Sequence, residues 1–206
     1  MTSLTNEWEP EIRRFERQDR TSPPPADPLL FTGSSSIARW DTLATDFPQW
    51  PVLNRGFGGS EMKDLVHFAD RLIFPLEPAG IVIYSGDNDL ASGKRPTTVL
   101  RTTQKLTQMI KERLPACAIT LLSVKLSPMR MPLKNEFLRL NRLFASLAQS
   151  MTGLEYLDVA SCLLDDNGVP RDIYFAEDDL HLSGEGYREW TGRLLPHLLT
   201  IHGPGE

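Results

Sequence analysis

The sequence predicts an α/β protein built on a mainly parallel sheet of five strands, and three observations carry that prediction. Short apolar runs of strand length alternate with longer stretches of helical periodicity, the pattern of strands joined by crossover helices. The longer stretches repeat their apolar residues every three or four positions, so each has one face to bury. Polar or glycine-rich turns follow several of the apolar runs, which puts loops at strand ends, where open α/β sheets bind ligands.

Taken in order, Trp8, Ile12 and Phe15 recur at i, i+4 and i+7 among charged residues and give the opening segment one apolar helical face. This helix is expected to pack on the domain as a lid or brace, with a partner-binding helix as the alternative. Pro23-Pro24-Pro25 then forbids helix and sets an extended connector. Residues 1–27 therefore read as N-terminal helix and connector, 28–200 as the domain proper and 201–206 as a flexible tail. Strands are expected at 29–31, 52–54, 81–84, 119–124 and 156–159. Between them, 97–114 reads as helix, and Leu133, Phe137, Leu140, Phe144 and Leu147 stripe a second. A last helix over 186–199 carries Tyr187, Trp190, Leu194 and Leu198; these stripes are core. Residues 125–132, with two prolines and two methionines, form a loop after the fourth strand on the sheet edge that carries the motifs, read either as a lining of a substrate pocket with flexible apolar side chains or as an ordinary connection.

The 206 residues, 40% hydrophobic and 24% charged, suit one ordinary globular domain. A net charge of -5 argues against nucleic acid as a partner, because that affinity rests on clustered Lys and Arg. Cys117 and Cys162 are too far apart for a CxxC pair and too few for a thiolate zinc site, so they read as two buried thiols. The first twenty residues lack the apolar core of a signal peptide, and no run approaches the about 18 apolar residues of a membrane span. A cytoplasmic location without stable membrane insertion is the expectation.

Three polar segments carry the chemistry: Gly33-Ser34-Ser35-Ser36, Gly86-Asp87-Asn88-Asp89 and Asp178-Asp179-Leu180-His181. A serine hydroxyl is a weak nucleophile, so acyl transfer needs a histidine to take its proton and a carboxylate to orient that histidine. His181 is the best base, with Asp178 three residues before it in a polar loop; adjacent Asp179 is a second candidate on spacing. His67 sits in a helical segment, His197 lies late in the final helix, where a cation complements the C-terminus, and His202 falls in the tail. Donors for a developing oxyanion are offered by the glycine-rich turn of residues 54–60 and by the Asn88 amide. The turn reads against a dinucleotide loop, because the last position of G-x-G-x-x-G is Glu61, whose carboxylate would repel a pyrophosphate.

Together these blocks resemble the SGNH, or GDSL-type, hydrolase family of esterases and lipases, from Leu30 to about Leu199, and its platelet-activating-factor acetylhydrolase-like members in particular. The resemblance implies a three-layer α/β/α sandwich with a flavodoxin-like sheet, and no G-x-S-x-G elbow. Block by block it implies Ser35 as nucleophile and first oxyanion donor through its N–H, Gly59 N–H as the second, Asn88 as the third, and Asp178 and His181 as orienting carboxylate and base. The residue before the nucleophile is Ser34 where the familiar block has Asp, so the bonds that steady the loop must come from a hydroxyl or elsewhere. The function expected is metal-independent hydrolysis of small acyl or acetyl esters, without a cofactor and with a small-molecule ester as the partner. A histidine base acts only when neutral, so kcat/KM is expected to fall as pH drops through ~6 to 7. Two rivals remain: a non-catalytic module binding an acylated molecule, against which the intact serine, histidine and aspartate count, and metal-assisted hydrolysis through Asp87, Asp89 and His181.

Overall fold

A computed structural model describes residues 7–204. Five strands, β1 (Leu29–Gly33), β2 (Val52–Gly56), β3 (Gly80–Tyr84), β4 (Ala118–Leu122) and β5 (Leu154–Leu157), form one sheet in the order β2-β1-β3-β4-β5. Every neighbouring pair is parallel. This is the flavodoxin-like order, in which the chain departs in opposite directions from β1 and β3 and leaves a crevice at their C-terminal ends. Both central strands are buried at every position, as continuous apolar runs covered on two faces must be.

Eight helices accompany the sheet among the described residues: α1 (Glu9–Thr21), α2 (Ser35–Ala38), α3 (Leu43–Asp46), α4 (Met62–Leu72), α5 (Asp87–Ala91), α6 (Pro96–Arg113), α7 (Lys134–Ser150) and α8 (Gly184–His202). The crossovers α4, α6 and α7 pack side by side on one face. On the other, α8 meets the α2–α3 segment through an aromatic cluster centred on Trp40. Its ring lies 5.9 Å from Phe31 of β1, 5.1 Å from Tyr187 and 5.9 Å from Trp190. Tilted and edge-on pairs of this kind contribute about 0.5–1.5 kcal/mol each beyond their burial. The result is a three-layer α/β/α sandwich.

Outside the sandwich, α1 docks on α4 through buried Ile12 and Phe15. Arg71 of α4 reaches Glu9 at 2.7 Å and Glu16 at 2.6 Å, and Arg55 pairs with Asp19. The partly exposed Arg71 pairs are worth at most about 1 kcal/mol each, and the buried Arg55 loses to desolvation much of what its Asp19 pairing gains, so the two buried apolar side chains, at about 1.5–3 kcal/mol each, hold the helix.

Several expected boundaries move. The second strand continues to Gly56, pairing with Gly33. The fourth ends at Leu122 and the fifth runs over Leu154–Leu157. The reason is Ser123, whose hydroxyl accepts the Val159 and Ala160 N–H groups at 2.9 and 2.8 Å, so these residues are bound by a side chain rather than a ladder. The last helix reaches His202, whose ring packs 6.5 Å from Trp50, so that residue lies in the helix rather than a tail. His197 does not serve as a terminal cation: it is half-buried beside Thr120 (3.2 Å), and burial disfavours its charge. Cys117 is buried but Cys162 only partly so, and burial pushes both thiols up to about 11. Among the described residues no helix is long and apolar enough to cross a membrane.

Candidate active site

The crevice between β1 and β3 closes on Gly33. A Cβ there would lie 1.9 Å from the Tyr84 carbonyl oxygen, and φ is +141°, so only glycine allows the approach. Just beyond, the Ser34 N–H donates to that same Tyr84 oxygen at 3.0 Å, and α2 begins at Ser35. The loop is thus steadied through backbone where the familiar block uses Asp. Two further bonds hold α2: Asn54 Nδ2 donates to the Ile37 carbonyl at 2.7 Å and Tyr187 Oη to the Ser36 carbonyl at 3.0 Å. Ser34 and Ser36 are buried, whereas half-buried Ser35 faces His181.

His181 comes from the loop between β5 and α8. Asp178 folds that loop with one oxygen and orients the ring with the other. Its Oδ1 accepts the Leu180 and His181 N–H groups at 3.1 and 2.9 Å, while Oδ2 lies 2.6 Å from His181 Nδ1. The ring hydrogen bond first, and then these backbone donors, hold the Asp178 carboxyl far below the ordinary range. With Asp178 ionised, the ring proton belongs on Nδ1, which leaves Nε2 to accept the Ser35 hydroxyl proton across 3.0 Å. Asp179 does not meet the ring; its backbone takes a left-handed φ of +55° and its carbonyl accepts the Met129 N–H at 2.9 Å. That bond ties the expected pocket loop of residues 125–132 to the histidine loop.

The glycine turn and α5 complete the crevice. Phe57 N–H donates to the Gly33 carbonyl at 2.9 Å, and the Cβ position of Gly58 lies 3.9 Å from Ser35 Cβ, so the turn lies against the serine. No acceptor among the described residues engages the Gly59 N–H. Asn88 stands between two anchored carboxylates and gives one amide proton to the Ser60 carbonyl at 3.0 Å, which leaves the other unassigned. Asp87 is fixed by Lys125 at 3.3 Å and Arg130 at 3.1 Å. Lys125 is fully buried; desolvation lowers its pKa, and the Asp87 charge opposes that shift. Removing one partner of such a pair costs about 3–5 kcal/mol, so Asp87 anchors α5.

Asp89 Oδ2 accepts the Met62 N–H at 2.9 Å and so joins α5 to the start of α4. Asp87 and Asp89 are therefore committed to Lys125, Arg130 and α4 rather than to His181. Among the described residues no three His, Cys, Asp or Glu side chains gather as a metal-holding group. Burial pushes the Asp89 carboxyl up to about 6, against the Met62 bond. A carboxyl whose folded pKa exceeds its unfolded value of about 3.9 binds its proton more tightly when folded, so its contribution to stability declines as pH rises from about 4 to 6. Asp89→Asn keeps an oxygen for the Met62 N–H and removes the titration. Relative to wild type it is expected to gain on the order of 2 kcal/mol between pH 4 and pH 7, read from urea unfolding; an equal difference at both pH values would refute this.

Asn54, Tyr187, Lys125 and Arg130 support the site through bonds that no motif in the sequence marks. Their partners lie between 17 and 151 residues away, so local patterns do not mark the bonds.

The GDSL-like lipase/acylhydrolase family matches residues 9–189. No curated protein sequence matches the chain. Among solved structures it is similar to a Streptococcus pneumoniae protein named for platelet activating factor, with 22% identity over 92% of each chain and a TM-score of 0.82. It is similar also to a GDSL-like lipase of Bacteroides thetaiotaomicron, at 19% identity over 92% of this chain and 98% of that one, TM-score 0.77. A catalytic mutant of an acetylxylan esterase from Geobacillus stearothermophilus follows at 15% identity, 84% and 94% coverage and TM-score 0.67. At these identities the structural likeness is one of fold, and the family match covers most of the length. The chain belongs to the GDSL-like lipase/acylhydrolase family and is an esterase-type hydrolase.

Proposed function

We propose that the protein is a metal-independent serine esterase that cleaves small acyl or acetyl esters in the cytoplasm through an acyl-enzyme at Ser35. The observation that carries this reading is the unbroken hydrogen-bonded chain from Ser35 Oγ through His181 to Asp178, at 3.0 and 2.6 Å. In the proposed sequence Ser35 Oγ attacks the ester carbonyl carbon and its proton passes to His181 Nε2. The carbonyl electrons collect on an oxygen facing Ser35 N–H, Gly59 N–H and Asn88 Nδ2, donors typically worth about 3 kcal/mol each. As the carbonyl re-forms, the C–O bond to the alcohol breaks and the alkoxide takes the His181 proton. Water then attacks the acyl carbon, gives a proton to Nε2, and the second collapse returns that proton to Ser35 and releases the acid. Asp178 keeps the ring in the tautomer this needs and stabilises the imidazolium.

A fluorophosphonate probe tests the proposal directly. One equivalent is expected to bond to Ser35, located by peptide mass, with none on Ser34 or Ser36. A chain that does not react is instead a ligand-binding module. A p-nitrophenyl ester series from acetyl to palmitoyl is expected to give its highest kcat/KM at the short end; a maximum at palmitoyl would overturn the short-acyl assignment.

A further inference from the structure

We infer that Trp8 is a positioning residue for the oxyanion site, and that α1 is the brace that holds it there. The inference rests on the proposed role of the Gly59 N–H. Trp8 stands at the start of α1, and its indole Nε1–H donates to the Gly58 carbonyl at 2.8 Å. That carbonyl and the Gly59 N–H belong to one peptide unit. In a trans peptide the two bonds point in opposite directions, so fixing the oxygen toward Trp8 aims the N–H away from it. Donation to the oxygen also polarises the unit and strengthens its N–H as a donor.

The peptide needs such a clamp. Glycine on both sides leaves it free to turn, and Gly59 already sits at φ +78°, a conformation side chains resist. The Trp8 ring seals the outer side: it meets Phe57 edge-on at 6.3 Å, and its Cζ2 lies 3.9 Å from the Gly59 Cβ position. Behind it, Ile12 and Phe15 are buried, and Arg71 grips the adjacent Glu9. A helix that contributes no nucleophile, base or donor thus sets the direction of one oxyanion donor across 50 residues of chain.

The test replaces Trp8 by 3-benzothienylalanine, which keeps the bicyclic ring and lacks the N–H, and separately by Phe. Rates on p-nitrophenyl acetate are counted per site titrated with fluorophosphonate, so unfolded protein does not enter. Both variants are expected to lose about tenfold in kcat, a part of the 10²–10³ that deleting a whole oxyanion donor costs. KM and the thermal midpoint of the benzothienyl variant should stay at wild-type values. A kcat within twofold of wild type in that variant, or a loss expressed only in KM, overturns the inference. Asn88→Ala is run alongside on the same basis, and Ser35→Ala, which lacks the titrated hydroxyl, is counted per mole of folded protein. If both cripple turnover while the benzothienyl variant does not, the esterase reading stands and the Trp8 role falls; if Ser35→Ala stays active, the esterase reading falls and takes the Trp8 role with it.

Discussion

Ser35→Ala is expected to lower hydrolysis of p-nitrophenyl acetate by about 10⁴- to 10⁶-fold, the range seen when an acyl-transfer nucleophile is removed, while leaving the fold intact. The change deletes one oxygen whose hydrogen-bond partner is the His181 ring. Ser35 is half-buried and its Cβ remains, so no cavity opens in the core. The Ser34 N–H bond to Tyr84 and the Asn54 and Tyr187 bonds to α2 do not involve the lost atom. The oxyanion donors also survive, because the Ser35 contribution is its backbone N–H. A small residual rate over water is therefore consistent with the proposal. Retention of more than about a tenth of the activity would sink it, since a nucleophile supplies far more than that.

The parts of the fold and site that were legible in the sequence are those written in contiguous residues. Each of β1 and β3 opens as an apolar run followed by a polar block, which composition shows, whereas spacing to His181 admits both Asp178 and Asp179 and only the folded loop separates them. What was not legible depends on pairing at a distance. Lys125, between Val124 and Leu126 before two prolines, reads as ordinary loop, yet Asp87, 38 residues earlier, draws it into the interior. Val159 looks like a strand residue and draws the expected fifth strand late, whereas its N–H is taken by Ser123 Oγ, 36 positions back. Helices α2 and α3 have four residues each, too few for a helical period to register. Trp8 showed its periodicity with Ile12 and Phe15, which accounts for the helix, but not its indole bond, which needs the turn at Gly58 to be folded first.

Asp178→Asn is expected to lower kcat by about 10²- to 10³-fold with little change in KM, and the reason lies in the division of labour between the two carboxylate oxygens. Oδ1 is held by two backbone donors, Leu180 and His181 N–H, so in the variant the amide oxygen will take that position and the amide nitrogen will face the ring. A nitrogen donor there requires an acceptor at Nδ1, which moves the imidazole proton to Nε2. The ring then presents a proton to the Ser35 hydroxyl instead of a lone pair, and it cannot act as base until it changes tautomer. The loop itself keeps its turn, so folding and ester binding should persist. The loss is set below the ~10⁴ of a fully buried triad aspartate because the Asp178 side chain is 42% exposed and water can in part replace it. The distinguishing control is Asp178→Ala, which removes the wrong-tautomer donor but also frees the two backbone N–H groups. If orientation of the proton is what Asp178 supplies, Asp178→Asn should be as impaired in kcat as Asp178→Ala while losing less thermal stability. An Asn variant with wild-type kcat would show that Asp178 only folds the loop.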